Sequence, residues 1–98
     1  MIKKTELKES LLNQLRNKGA DTPHFLDMVD TYMDFWTIKS NLAKDIRKRG
    51  AIVSTDSGDK PNPSIAELRM VTKQMQSLLD QLELSVDDVG NYDGYSDL

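Results

Sequence analysis

Lys44-Asp45-Ile46-Arg47-Lys48-Arg49-Gly50 and Lys60-Pro61-Asn62-Pro63-Ser64 flank the break between the two longest apolar-striped segments of this 98-residue chain. The first run is a helix stop, with cations against the negative end of the macrodipole and a glycine beyond them. The second is a helix start, since proline suits a first turn whose N–H has no partner to lose. Two striped segments joined by so short a connection predict an antiparallel helical hairpin with a short extended crossover. The first run also holds the densest positive charge in an acidic chain.

Upstream of the break, the segment from about Pro23 to Arg49 carries Phe25, Met28, Val29, Tyr32, Phe35, Trp36, Leu42, Ala43 and Ile46. Read as heptads, positions a and d fall on 25, 28, 32, 35, 39, 42 and 46, with Lys39 alone breaking the stripe. A helix of that length is about 40 Å long, more than one small core needs. It favours a hairpin or an oligomeric bundle.

Downstream, Ile65, Leu68, Thr72, Met75, Leu79 and Leu82 form a stripe of matching period, widened by Val71 and Leu78. The two seams are expected to pack antiparallel. Ser64-Ile65-Ala66-Glu67 has the spacing of a capping box, in which Ser and Glu satisfy each other's free backbone donors. Between the seams, Ala51-Ile52-Val53-Ser54 is β-prone and Thr55–Lys60 reads as a turn or loop.

Ahead of the long helix, Leu7, Leu11, Leu12 and Leu15 recur at helical spacing until Gly19, and Thr22-Pro23 restarts the chain. The domain expectation is a single helical domain over 1–89, with helices at about 5–18, 23–49 and 64–83 and a short turn at 86–89. Residues 90–98 read as an acidic flexible tail. The fold class is all-α.

Charge is sorted into blocks. Residues 1–20 hold five bases and two acids, 21–38 four acids and no base, 39–50 five bases and one acid, and 51–98 three bases and nine acids. Different partners or faces are expected for blocks of different sign. No apolar run approaches the ~20 residues that cross a bilayer, and the basic N-terminus lacks the apolar core of a secretory signal. Absent cysteine excludes disulfides and thiolate metal sites and fits a reducing compartment.

The residues offer no catalytic constellation. His24 is the sole histidine and sits at a helix start without candidate partners. The five glycines are dispersed, with no phosphate loop. Asp27, Asp30 and Asp34 share a helical face, which reads as a solvated acidic surface rather than a metal site, since nothing nearby completes a ligand set. No cofactor is expected. Tyr32, Phe35 and Trp36 read as core or subunit interface rather than a base-stacking platform, together with Leu68, Met75 and Leu79. A helix-turn-helix around Gly19 is a weak signal, because the following helix is far too long for a recognition helix.

Lys44, Arg47, Lys48 and Arg49 exceed what a cationic cap needs. Arg47 and Lys48 are adjacent and do not share a face, so the cluster is expected to ring the helix end. Lys3, Lys4, Lys8, Arg16 and Lys18 form a second basic region. Both sets are candidates for phosphate contact.

Phe25-Leu26-Asp27-Met28-Val29-Asp30-Thr31-Tyr32, Ile46-Arg47-Lys48-Arg49-Gly50, Asn62-Pro63-Ser64, Lys73-Gln74-Met75 and Leu78-Leu79-Asp80-Gln81-Leu82-Glu83-Leu84-Ser85 together resemble the small terminase subunits of tailed phages. The shared pattern is a long aromatic-bearing helix closing in a basic residue and Gly, an extended crossover, an Asn-Pro start and a Leu-x-Leu-Ser/Thr end. It covers about residues 11–89. The chain departs from it at Val86, where many members have Pro, and in ending with an acidic, Tyr-containing tail where many continue with a basic segment.

The resemblance implies a non-catalytic, helical, ring-forming component that recognises viral double-stranded DNA. It would deliver that DNA to the large subunit bearing the ATPase and nuclease, in the cytoplasm of the infected bacterial host and without a membrane partner. The tail residues Tyr92, Asp93, Tyr95, Asp97 and Leu98 then suit docking on the large subunit better than DNA contact. The alternative is a helical protein-interaction module that binds no DNA.

Overall fold

The computed structural model describes residues 3–84. Helix α1 spans Lys4–Asn17, α2 Pro23–Arg49 and α3 Pro63–Leu82, with strands β1 (Ile52–Thr55) and β2 (Gly58–Pro61) between the last two. The expected turn at 86–89 and the tail lie outside the described residues.

The fold is mostly helical, as the apolar periods required. The connection differs from its expectation: it is an antiparallel β-hairpin pairing Ile52 with Pro61, Val53 with Lys60, Ser54 with Asp59 and Thr55 with Gly58. Only β1 has strand-forming residues. The second strand, Gly58-Asp59-Lys60-Pro61, follows because the two helices hold both ends of a thirteen-residue connection close together, and pairing satisfies the backbone there. Gly58 turns the tip with φ of +111°, a region that disfavours a side chain.

Helix α1 ends in a Schellman motif. Gly19 stands in the left-handed region at φ +70°, the Ala20 N–H donates to the Leu15 carbonyl at 2.8 Å and the Gly19 N–H to that of Arg16 at 3.0 Å. The chain then doubles back. Lys4 Nζ reaches Thr37 Oγ1 at 2.7 Å and Lys8 pairs with Asp30 at 3.1 Å, so α1 lies back along the first half of α2. Leu7, Leu11 and Leu15 face inward and are fully buried.

Helix α3 returns along most of α2. Its C-terminus repeats the Schellman pattern, but with Glu83 in the left-handed region at φ 57°. The Leu84 N–H donates to the Leu79 carbonyl at 2.9 Å, and Leu84 is buried. Lacking a base in its own last turn, α3 takes one from α1. Lys18 Nζ donates to the Leu82 carbonyl at 3.3 Å and the Glu83 carbonyl at 2.7 Å, placing a cation at the negative end of the helix.

One core joins Leu7, Leu11 and Leu15 to Met28, Val29, Tyr32 and Met33 of α2 and to Val71, Met75, Leu79 and Leu82 of α3. The heptad reading of α2 needs correction, because Val29, Met33 and Ala43 are buried while Phe35, Leu42 and Ile46 are only half-buried. Two partners cause the shift. Val29 and Met33 turn toward the side on which α1 meets Asp30 and Thr37. Lys39, which breaks the stripe, is nonetheless only 4% exposed. Burial lowers its pKa from 10.5 to about 8.

Candidate nucleic-acid interface

The start of α3 is built around a carboxylate from α2. Ser64 does not cap the helix as its capping-box spacing implied. Asn62 does, its side-chain oxygen accepting from the Ser64 N–H at 2.9 Å, with Pro63 as the first helical residue. The Ser64 hydroxyl instead donates to Asp45 Oδ2 at 2.6 Å. That carboxylate also takes two bonds from Arg49, at 2.7 and 2.8 Å, and one from Asn62 Nδ2 at 3.3 Å. Asn62 Nδ2 further donates to the Gly50 carbonyl at 3.0 Å, and the Asn62 N–H to that of Ala51 at 2.8 Å. Asn62 is 1% exposed, so a nearly buried carboxamide ties the end of α2, the root of the hairpin and the start of α3 together. The Arg49 guanidinium, followed by the Ser64 hydroxyl, holds the Asp45 carboxyl well below the usual range, and Asp45 raises Arg49 in turn.

This network divides the basic cluster. Arg49 is occupied by Asp45 and reaches Asn62 Oδ1 at 3.1 Å. Lys44, Arg47 and Lys48 are exposed, and none has an ion-pair or hydrogen-bond partner among the described residues. They do not ring the helix. Lys44 stands between the other two, at i−3 and i−4, so the three form one patch. Neighbouring Lys39 and Ala43 are buried, so Lys44 and Lys48, on the opposite side of the helix, lie on the outer face of α2.

The second basic region is dispersed. Lys4, Lys8 and Lys18 make the intramolecular contacts described above. Arg16 donates to Asn13 Oδ1 at 2.8 Å, and Lys3 is exposed at the start of α1. These cations follow the length of α1 and do not converge with the α2 patch.

Counting along the chain missed three bases that the fold brings to the same end. Lys60 lies at the hairpin root, and Arg69 and Lys73 lie one turn apart on the outer face of α3. Residues 39–73 hold eight bases and four acids, against five bases and twelve acids in the rest. Among the described residues alone, those outside 39–73 hold five bases and eight acids, so the described part of the protein is electrically polar along α2 and α3. The hairpin tip itself is not basic: Asp56 and Asp59 flank its turn, with Asp59 accepting from Ser54 Oγ at 3.0 Å. A polyanion would meet the outer face of α2 before the tip.

Of the aromatic and interface candidates, Tyr32, Met75 and Leu79 are buried in the core. Phe35, Trp36 and Leu68 are half-buried. Tyr92, Asp93, Tyr95, Asp97 and Leu98 lie outside the described residues. Among the described residues no group of His, Cys, Asp or Glu is placed to hold a metal ion, and no helix is long and apolar enough to cross a membrane.

The model of the phage terminase small subunit family matches residues 9–90. The chain belongs to that family, and its role lies in phage DNA packaging. No curated protein and no solved structure matched the chain.

Proposed function

We propose that this chain is the DNA-recognising, non-catalytic subunit of the packaging machinery, and that Lys44, Arg47 and Lys48 are its principal phosphate contacts. Family membership supplies the packaging role. The observation that carries the DNA assignment is the patch itself: three exposed cations at the end of α2, adjoining one another and without a partner among the described residues, at the basic end of an otherwise acidic protein. The Asp45–Asn62 network fixes the end of α2 that carries Arg47 and Lys48. Lys60, Arg69, Lys73 and the bases of α1 (Lys3, Lys4, Lys8, Arg16 and Lys18) add weaker, longer-range attraction.

In this reading several copies assemble, multiplying modest phosphate contacts into useful avidity. The assembly brings viral double-stranded DNA to the large subunit, in the cytoplasm of the infected bacterium. The acidic tail, with Tyr92, Asp93, Tyr95, Asp97 and Leu98, docks on that large subunit.

A salt-titrated binding assay with duplex DNA tests the DNA assignment. Neutralising about six phosphates per bound unit gives a slope of log affinity against log salt near −5. Absent or salt-independent binding contradicts it. The large-subunit role predicts a change in ATP turnover when this chain is added, weakened by deletion of residues 90–98. No change with either protein rejects tail docking.

One observation favours the alternative of a protein-interaction module without DNA binding. Met70, 61% exposed, centres a strip of α3 made of Pro63, Ala66, Gln74, Ser77 and Gln81, all exposed and uncharged. Charge depletion of this kind marks interface cores. The same DNA titration separates the two readings.

A further inference from the structure

Among the described residues, Met70 is the most exposed large apolar side chain, at 61% against 58% for Ile52 and 44% for Ile38. It stands on the side of α3 away from the core, where Ala66, Gln74 and Ser77 are exposed and uncharged. Two cations border it. Arg69 is its chain neighbour, and Lys73 lies one turn on, at i+3. Both are exposed, and neither has an ion-pair or hydrogen-bond partner among the described residues. Of the positions one turn from Met70, Glu67 alone is acidic. A thioether flanked by an arginine and a lysine suits a ligand that joins an aromatic ring to carboxylates.

The sequence beyond α3 carries that chemistry. Residues 85–98 hold four aspartates, two tyrosines and no base. Asp93, Tyr95 and Asp97 alternate with Gly94 and Ser96, so an extended backbone sets all three on one side. A chain returning from the end of α3 toward its start passes Lys73, then Met70, then Arg69. Acid, ring and acid meet cation, thioether and cation in that same order.

The length of chain fits as well. Met70 lies fourteen residues before Leu84, about 21 Å along the helix axis. Leu84 packs in the core, so passing round α3 to its outer face adds about 10 Å. Tyr95 follows Leu84 by eleven residues, a reach of up to about 36 Å. The α2 patch is farther. Asp45 meets Ser64, which puts that patch level with the start of α3, about 30 Å from Leu84 along the axis, and on the other helix.

We propose that residues 91–98 return along the outer face of α3 of their own chain, with the Tyr95 ring on Met70, Asp93 at Lys73 and Asp97 at Arg69. Such a contact needs little intrinsic affinity, because a short tether holds the segment at an effective concentration near the millimolar range. Its charges are exposed, so salt loosens it. Any protein that takes the tail competes with the strip for the same side chains. The contact does not rest on the large-subunit reading: both halves belong to this chain and are measured with no partner present, so either can fail alone.

Disulfide trapping on the full chain tests the proposal, since the chain has no cysteine of its own. At low salt and high dilution, Gln74→Cys/Tyr92→Cys should close within one chain at least about tenfold faster than Lys48→Cys/Tyr92→Cys. Adding Met70→Gln to the first pair, or Asp93→Lys with Asp97→Lys, should slow closure about tenfold. Adding Arg69→Asp and Lys73→Asp to the charge-reversed tail should restore the rate, a recovery that damage to the helix would not produce. Circular dichroism checks that each variant stays helical. Equal rates for the two cysteine pairs, faster closure at position 48, or a rate indifferent to Met70 and the aspartates would overturn the proposal. So would a product of two-chain mass.

Discussion

The Ser64 hydroxyl donates to the Asp45 carboxylate at 2.6 Å across nineteen residues of chain. That bond joins the last turn of α2 to the first turn of α3, and Asn62 and Arg49 close the ring around it. The most recognisable part of the sequence, its Arg-Lys-Arg-Gly stop and Asn-Pro-Ser restart, is thus one hydrogen-bonded unit. It leaves Lys44, Arg47 and Lys48 outside, available to a partner.

Removing the carboxamide at the centre of that unit should be costly. Asn62→Ala deletes a helix cap and strands the buried acceptors and donors around it, an expected loss of about 1–3 kcal/mol. Chemical denaturation of the two proteins measures it. An Asn62→Ala variant within a few tenths of a kcal/mol of the parent would show that the network does not hold the hairpin root.

Asp45 should make stability fall in acid. Its folded pKa lies below the ordinary 3.8, so its contribution is fully present above that value and is lost as pH falls through the folded value. Thermal melts from pH 5 downward should show Asp45→Asn losing less stability on acidification than the parent.

Lys39 should act in the opposite range. Its folded pKa near 8 against 10.5 unfolded means that the unfolded chain binds the extra proton between those values. Stability linked to this residue therefore rises with pH across that window, with a slope of up to about 1.4 kcal/mol per pH unit. Comparing Lys39→Met with the parent isolates the effect, since the variant lacks the slope.

Glu83 occupies a left-handed conformation in which a side chain is unfavourable. Glu83→Gly should relieve this and stabilise the protein by about 0.5–1 kcal/mol, less whatever the exposed Lys18 contact at 3.7 Å contributes. By contrast, Leu11→Ala removes a fully buried side chain from the α1 seam and should cost about 2–5 kcal/mol.

Local periodicity and punctuation made the helices legible. Leu7, Leu11 and Leu15, the stripes flanking Gly50 and the Asn-Pro pair each express a local preference that the fold keeps. What was not legible depends on residues distant in sequence. Gly58-Asp59-Lys60-Pro61 has no strand propensity of its own and pairs because the helices hold its ends. Ser64 has the spacing of a cap, but the carboxylate of Asp45 claims its hydroxyl and Asn62 takes the capping role. Lys39 broke the heptad pattern yet is buried.

The candidate site divides in the same way. The i, i+3, i+4 spacing of Lys44, Arg47 and Lys48 is enough to gather them into one patch, whereas the adjacency of Arg47 and Lys48 taken alone implies a ring. That Arg49 is occupied by Asp45, that Lys4, Lys8 and Lys18 serve the fold, and that Lys60, Arg69 and Lys73 join the basic end are tertiary facts. No count along the chain contains them.

The most direct test of the central claim is duplex-DNA affinity across a salt series for three proteins: the parent, a Lys44→Gln/Arg47→Gln/Lys48→Gln variant, and a Lys3→Gln/Lys4→Gln/Lys8→Gln variant. With the α2 patch as the principal phosphate contact, the first variant should lose binding and flatten the log–log salt slope by about one per contact removed. The second should keep most of both. Equal losses in the two variants, or an unchanged slope in the first, would contradict the assignment of DNA contact to the outer face of α2.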